Sequence, residues 1–209
     1  MKKIILFFVF IILNSTACAP RINTDRFDLT VMPQPPTAHK QNKHLIKIWK
    51  PDDSALQRIG NDTLIRRLEI PDLGSNIIFL FVTPSNVSDW CADVFKKTFQ
   101  KNNFKTALVS GKLSVEPQSV DIKIVINKTR VGCVPDGFAA IAGAKIDLTV
   151  TAYNQGEKIL SLNITGNGEV EYNDKAKELL SISQAFLSAM QEAADLATIS
   201  LKKELTWLD

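Results

Sequence analysis

Hydrophobic and polar positions change rhythm several times along this chain, and each rhythm predicts a different element. Ile4 to Leu13 contain no polar residue. Ile77-Ile78-Phe79-Leu80-Phe81-Val82 is a shorter apolar run ended by Thr83-Pro84, the size of a strand buried on both faces. Val87, Trp90, Cys91, Val94, Phe95, Thr98 and Phe99 then recur at helical spacing, with Asp89, Lys96, Lys97 and Gln100 off the stripe. That pattern predicts an amphipathic helix, capped by Ser85 or Asn86 and ended at Lys101-Asn102-Asn103. Phe104 to Val109 reads as a strand that turns at Ser110-Gly111.

Three stretches follow with period two. Val120, Ile122, Ile124 and Ile126 alternate with polar residues, as do Ile146, Leu148, Val150 and Ala152, and then Leu160, Leu162 and Ile164. Each such strand covers a core with one face and meets water with the other. Asn154-Gln155-Gly156-Glu157 suits a hairpin loop between the last two, and Gly166 and Gly168 suggest a bulge. Asn173-Asp174 can cap a long final helix with apolar positions from Leu179 to Leu208. Its small residues Ala185, Ser188, Ala189, Ala193, Ala194 and Ala197 allow close approach of a neighbouring surface. Nearer the start, Leu45, Ile46, Ile48 and Trp49 form a short strand that stops at Pro51, and Phe27 to Val31 suit an edge strand. Residues 54–75 carry the weakest pattern, Leu64 to Ile70 suiting either a strand or a helical turn. Two helices are enough to cover one face of the sheet. The expected fold class is therefore α+β, a two-layer sandwich with a largely antiparallel sheet and two helices on one face.

The first apolar run is too short for a membrane span, which needs about 20 residues. Lys2-Lys3, the run itself and the small residues Ser15-Thr16-Ala17 are the parts of a signal peptide, assigned to residues 1–17. Cys18 after Thr16-Ala17 resembles the lipobox of bacterial lipoproteins, in which the cysteine sulfur receives a diacylglycerol and becomes the first residue. Ser15 stands where leucine is usual, and cleavage by a general signal peptidase would cut the same bond. Ala19, rather than Asp, follows the cysteine, which by lipoprotein sorting rules favours the outer membrane. Residues 18–44, with Pro20, Pro33, Pro35 and Pro36, are expected to form a lipidated N-terminus and flexible tether, and 45–209 one periplasmic domain. Without Lys2 and Lys3, the 25 basic residues fall to 23, against 22 acidic ones, so charge implies no nucleic-acid partner.

The block DWCADVFKKTFQKNNFKTALVS, the string DIKIVINKTRV with KIDLTVTAYNQGEKILSLNITGNGEVEY, the alanine-rich last helix and the Cys18 start together resemble YajG-type lipoproteins and the related auxiliary lipoproteins of ABC-type transport systems. The resemblance implies a lipid-anchored, non-catalytic accessory component on the periplasmic side of the outer membrane. Such a protein would bind a protein partner in an envelope assembly for transport, secretion or flagella. It lends no catalytic residues. The alternative is a periplasmic binder of lipid or another small amphiphile in a groove between helix and sheet.

The remaining chemistry is sparse. Cys91 and Cys133 would close a loop of about 43 residues if bridged, worth roughly 4 kcal/mol on the chain-entropy model. The oxidising periplasm makes the bridge the expected state; two separate small buried hydrophobes are the alternative. His39 and His44, the two histidines, fall in the expected tether, and a zinc site needs three or four ligands, so no metal or cofactor is expected. A serine or cysteine nucleophile would lack a histidine base from the core, and no enzyme is expected. Ser200-Leu-Lys-Lys203 matches S-x-x-K without its companion motifs, and Gly166-Asn-Gly168 lacks the rest of a dinucleotide loop. The stretch Gly132 to Ala144 reads as a long loop of small apolar residues. Phe138 and Ile141 are its candidate partner-binding groups if it is exposed; the other reading packs it on the protein's own core.

Overall fold

A computed structural model describes residues 21–31, 33, 43–67, 77–136 and 139–208. Among these, nine strands and two helices run in the order β1 (Arg21–Arg26), β2 (Leu45–Trp49), β3 (Arg58–Ile59), β4 (Asp62–Arg67), β5 (Ile77–Thr83), α1 (Val87–Lys101), β6 (Lys105–Val109), β7 (Ser119–Asp136), β8 (Ala139–Asn154), β9 (Glu157–Tyr172) and α2 (Glu178–Leu208). A 3-10 turn, Lys175–Lys177, precedes α2. The α+β sandwich expected from the sequence is the observed fold, with both helices against the sheet and against each other.

The sheet is organised around β7. On one side β8 and then β9 pair antiparallel along its length. Its other side is divided. The first part, Ser119 to Ile122, takes β2 in parallel, and β6 lies parallel beyond β2. The later part, Arg130 and Val131, takes β4 in parallel, then β5 antiparallel and β1 parallel to β5. The sheet is thus mixed rather than largely antiparallel. Hairpins can join only antiparallel strands, and β1, β2 and β4 find partners far along the chain, so local patterning carries no direction for them.

The expected helix over 87–101 forms as read. Asn86 caps it, its Oδ1 accepting from the Asp89 amide at 3.1 Å. Val87, Trp90, Cys91, Val94, Phe95 and Phe99 are buried beneath it. Lys97, expected off the stripe, is buried too, with its ammonium 2.9 Å from Asp93. Trp90 stacks on Phe186 of α2 at 5.2 Å, and Phe27 meets Phe186 edge-on at 6.2 Å.

The lead-in departs from the expected tether. Arg21–Arg26 is a strand, and the segment after it crosses the two helices rather than pairing as an edge strand. Phe27 and Leu29 are buried, the Trp90 indole N–H donates to the Thr30 carbonyl at 2.8 Å, and the Ser183 hydroxyl donates to the Asp28 carbonyl. His44, assigned to the tether, is also buried, just before β2. The undecided stretch resolves over 58–67 as the β3–β4 hairpin; residues 68–76 lie outside the described residues.

Gly166 and Gly168 are not a bulge. The register breaks instead between Ile126 and Lys128, and between Ala152 and Tyr153. The two glycines face α2 at contact distance. A Cβ at Gly166 would stand 1.9 Å from the Ala189 carbonyl oxygen, and one at Gly168 2.0 Å from that of Ala185. The small side of α2 therefore has the close neighbour that its alanines predict. The expected loop Gly132 to Ala144 is also mostly strand: Gly132 pairs with Gly143, Val134 with Ile141 and Asp136 with Ala139. Small residues with weak strand preference serve there because Ala142 and Ala144 are buried and Ala144 lies beside Gly168.

Candidate interaction surfaces

The break at Ile126/Lys128 decides what the β7–β8 hairpin presents. Before it, Val120, Ile122, Ile124 and Ile126 face the core; after it, Thr129 and Val131 do. Cys133 consequently points inward and Val134 outward. Val134 is 45% exposed, and its cross-strand partner Ile141 is half-buried beside Glu171 of β9. Ile141 is thus part of an outward apolar pair rather than of a packed loop. Phe138, the other candidate, lies outside the described residues. At the same end of the molecule, the first turn of α2 exposes Leu179 and Leu180, the latter by 55%.

Cys91 and Cys133 do not form the expected bridge; no disulfide joins them. The Ser88 hydroxyl at the start of α1 donates to the Pro51 carbonyl, and the next residue, Asp52, bridges to Val125 of β7. Cys91 lies one helical turn beyond Ser88, toward the level where β2, β6 and β7 begin. Cys133 lies eight residues past Val125 in the opposite direction, roughly 25 Å along a strand. A disulfide needs Cα atoms within about 7 Å. Burial pushes the Cys91 thiol up. Burial first, and then the neighbouring Cys133 thiol, raise the Tyr172 hydroxyl.

A second surface lies where α1 meets the sheet edge. Among the described residues β6 ends the path of pairing, and Leu108 on it is 58% exposed. Lys50, Asp89, Ala92, Leu108, Val109 and Ser110 line an open recess of about 330 Å³ there, crossed by a 3.1 Å Lys50–Asp89 ion pair. An edge strand with unpaired backbone groups and an apolar recess beside it is a form that accepts an extended peptide.

The sheet face away from the helices is polar. Asn127, Thr149 and Asn163 form a hydrogen-bonded row across three strands, and Asp147 accepts from both Arg130 and Thr165. The Lys123 ammonium sits 5.0 Å from the Trp49 ring and 5.4 Å from the Tyr153 ring, and the Trp49 indole N–H donates to Asp121. At the bottom of the sheet the Lys47 ammonium, 2.8 Å away, and then the Ser119 hydroxyl lower the Glu116 carboxyl. Among the described residues no group of three or more His, Cys, Asp and Glu side chains converges as a metal site would require, and no helix is long and apolar enough to cross a membrane.

Sequence patterning missed Val134 because the bulge inverts the alternation set by Val120 to Ile126. Leu108 had a visible sign, an apolar residue out of phase in Lys105–Val109. Cys18 lies outside the described residues.

No family model and no curated protein matches the chain. Solved structures resemble it at low identity. A Xanthomonas campestris protein of the domain family DUF330 superposes with a TM-score of 0.56 at 14% identity, covering 88% of this chain and 98% of its own. A Chlamydia trachomatis protein gives 0.44 at 9% identity over 78% of this chain and 96% of its own. A lipoprotein from Neisseria meningitidis gives 0.31 at 8% over 78% and 99%. The first likeness is one of fold; the other two scores are too low to argue from.

Proposed function

We propose that this protein is a lipid-anchored periplasmic accessory component that docks a protein partner in an envelope assembly and performs no chemistry of its own. The observation that carries the reading is the placement of a lipobox-like Cys18 only three residues before a strand built into the sheet. An acyl chain there adds roughly 0.8 kcal/mol of membrane affinity per buried methylene, so a multiply acylated terminus holds firmly. Ala19 after the cysteine supports the outer membrane as the destination. The β6 edge, with exposed Leu108 and its recess, supports a peptide or strand from the partner as the contact. YajG-type and ABC-transport auxiliary lipoproteins remain the families that the sequence resembles, and their accessory role is the model for this one.

The amphiphile-binding alternative has less support. Under α2, where a groove between helix and sheet was expected, Gly166 and Gly168 bring the helix backbone into contact with β9.

Labelling with radioactive palmitate in cells carrying wild type or Cys18→Ser tests the anchor. Label on the wild type alone is the expected result; an unlabelled wild type in the aqueous fraction refutes the proposal. A photo-crosslinker at Leu108 then tests docking. One protein crosslinked at stoichiometric yield, lost when the reporter moves to Ser161 on β9, is expected. Crosslinks to lipid alone would favour the alternative.

A further inference from the structure

The registers give the anchor a definite place relative to the fold. Asp25 lies beside Phe81, Phe81 opposite Ile65, and the residue after Ile65 beside Arg130. β1 and β5 run opposite to β4 and β7. Four residues back from Asp25 is Arg21, and four residues on from Thr129 is Cys133, so these stand level across the sheet. The last pair of the β7–β8 hairpin, Asp136 and Ala139, lies three residues further in that direction, about 10 Å at strand rise. Cys18 is three peptide steps from Arg21 and reaches at most about 10 Å. An acylated Cys18 therefore holds Arg21 within about 10 Å of the lipid surface, the same distance by which the hairpin end of the domain projects beyond Arg21. β9 ends at this level and α2 begins there.

We infer that this end of the domain lies against the bilayer, with outward-facing Val134 and Leu180 in the interfacial layer. The inference rests on the proposed acylation of Cys18. A tether as long as 18–44 would leave the domain free to face any way; the paired β1 removes that freedom. Among the described residues, Val134, Leu179 and Leu180 are the large apolar groups exposed there. Lys175 and Lys177 share the end with Glu171, Asp174 and Glu178, so the charges nearly cancel. The contact is then set by the short anchor and by apolar groups, not by anionic lipid. Holding the surface within so short a reach gives it a high effective concentration at the membrane, so weak individual contacts suffice.

The test uses full-length lipidated protein in phosphatidylcholine vesicles whose acyl chains carry bromine, which quenches nearby indoles. Three variants each add one tryptophan: Val134→Trp, Leu180→Trp and, at the opposite end of the sheet, Val115→Trp, whose parent residue is 80% exposed. Each is read as fluorescence in excess of wild type. The expected result is loss of the added signal for Val134→Trp and Leu180→Trp and its retention for Val115→Trp, alike in neutral and anionic vesicles. Leu180→Trp serves as the independent reporter if Val134→Trp misfolds. Flotation of wild type with the vesicles but no selective quenching would overturn the orientation and leave the anchor standing. Wild type that carries no lipid and does not float would overturn both.

Discussion

Placing alanine at Gly166 sets two effects of opposite sign against each other. On backbone entropy alone, Gly→Ala inside a strand stabilises by about 0.5–1 kcal/mol. The structure opposes this with a carbonyl oxygen. The new Cβ would lie 1.9 Å from the Ala189 oxygen and 2.9 Å from its carbonyl carbon, where carbon atoms essentially never approach within 3.0 Å. The obstacle is helix backbone, so no rotamer change relieves it; α2 must withdraw by about 1 Å. A gap of that size forfeits a quarter to a half of each dispersion contact it opens. The contacts at risk include those of the buried Phe186, Ala189, Met190 and Ala193. Overpacking of this kind costs about 1–3 kcal/mol, and the backbone origin of the clash sets Gly166→Ala near the top of that range. The net expectation is a loss of about 2 kcal/mol, or roughly 4–8 °C in Tm for a chain of this size. Gly168→Ala meets the Ala185 oxygen at 2.0 Å and should behave alike. The double variant should cost less than the sum, because one withdrawal of α2 relieves both clashes. Urea and thermal unfolding followed by circular dichroism measure this, with Glu169→Ala, exposed on β9 next to Gly168, as a control expected within about 0.5 kcal/mol of wild type. A Tm that rises for Gly166→Ala would refute the packing argument.

Other outcomes follow from single contacts. Asn86→Ala should cost about 1 kcal/mol and Asn86→Asp little, since the carboxylate keeps the bond to the Asp89 amide; equal losses in urea unfolding would contradict the cap. Burial alone would raise the Asp147 carboxyl, but hydrogen bonds from Thr165 and Arg130, with the Arg130 charge, outweigh it and hold it below the ordinary carboxylate range. A lowered folded-state value stabilises above about pH 4 and is lost on acidification through that value, so Asp147→Asn should cost up to about 1 kcal/mol at pH 7 and progressively less below pH 4, read from unfolding curves across pH. Native alkylation should label Cys133 ahead of the buried Cys91, and both should label after unfolding without reductant; intact mass showing two unalkylated, bonded sulfurs would contradict the unbridged state.

Where burial followed a simple period, the sequence could be read directly. The stripe from Val87 to Phe99 and the alternations at Val120 and Ile146 lie on the buried faces that their spacing implies. Reading failed where a tertiary neighbour set the choice of residue. Gly166 and Gly168 look like bulge residues because α2 leaves no room for larger ones, and Ala142 and Ala144 look like loop residues although they are buried strand positions. The bulge at Ile126 reverses which residues face out, which hid Val134 and misdirected the pairing of Cys133. The direction of β1, β2 and β4 depends on partners distant in sequence. As for the candidate surfaces, Ile141 could be named from its residue type, but the level at which Arg21 enters the sheet could not.

The division of β7 between two sets of partners has a consequence for how the chain acquires its shape. Among the described residues, β2 has only β6 and β7 to pair with, and β4 is flanked by β3, β5 and β7. A polypeptide emerging N-terminus first exposes Leu45–Trp49 long before Ser119–Ile122 arrives to receive it. Such non-local pairings make folding slow, because loop-closure entropy is lost before any contact repays it. The first half of the molecule must therefore wait, with open strands and an apolar run at Ile77–Val82, for the later half. Productive folding accordingly depends on shielding those segments from premature association until the later half arrives.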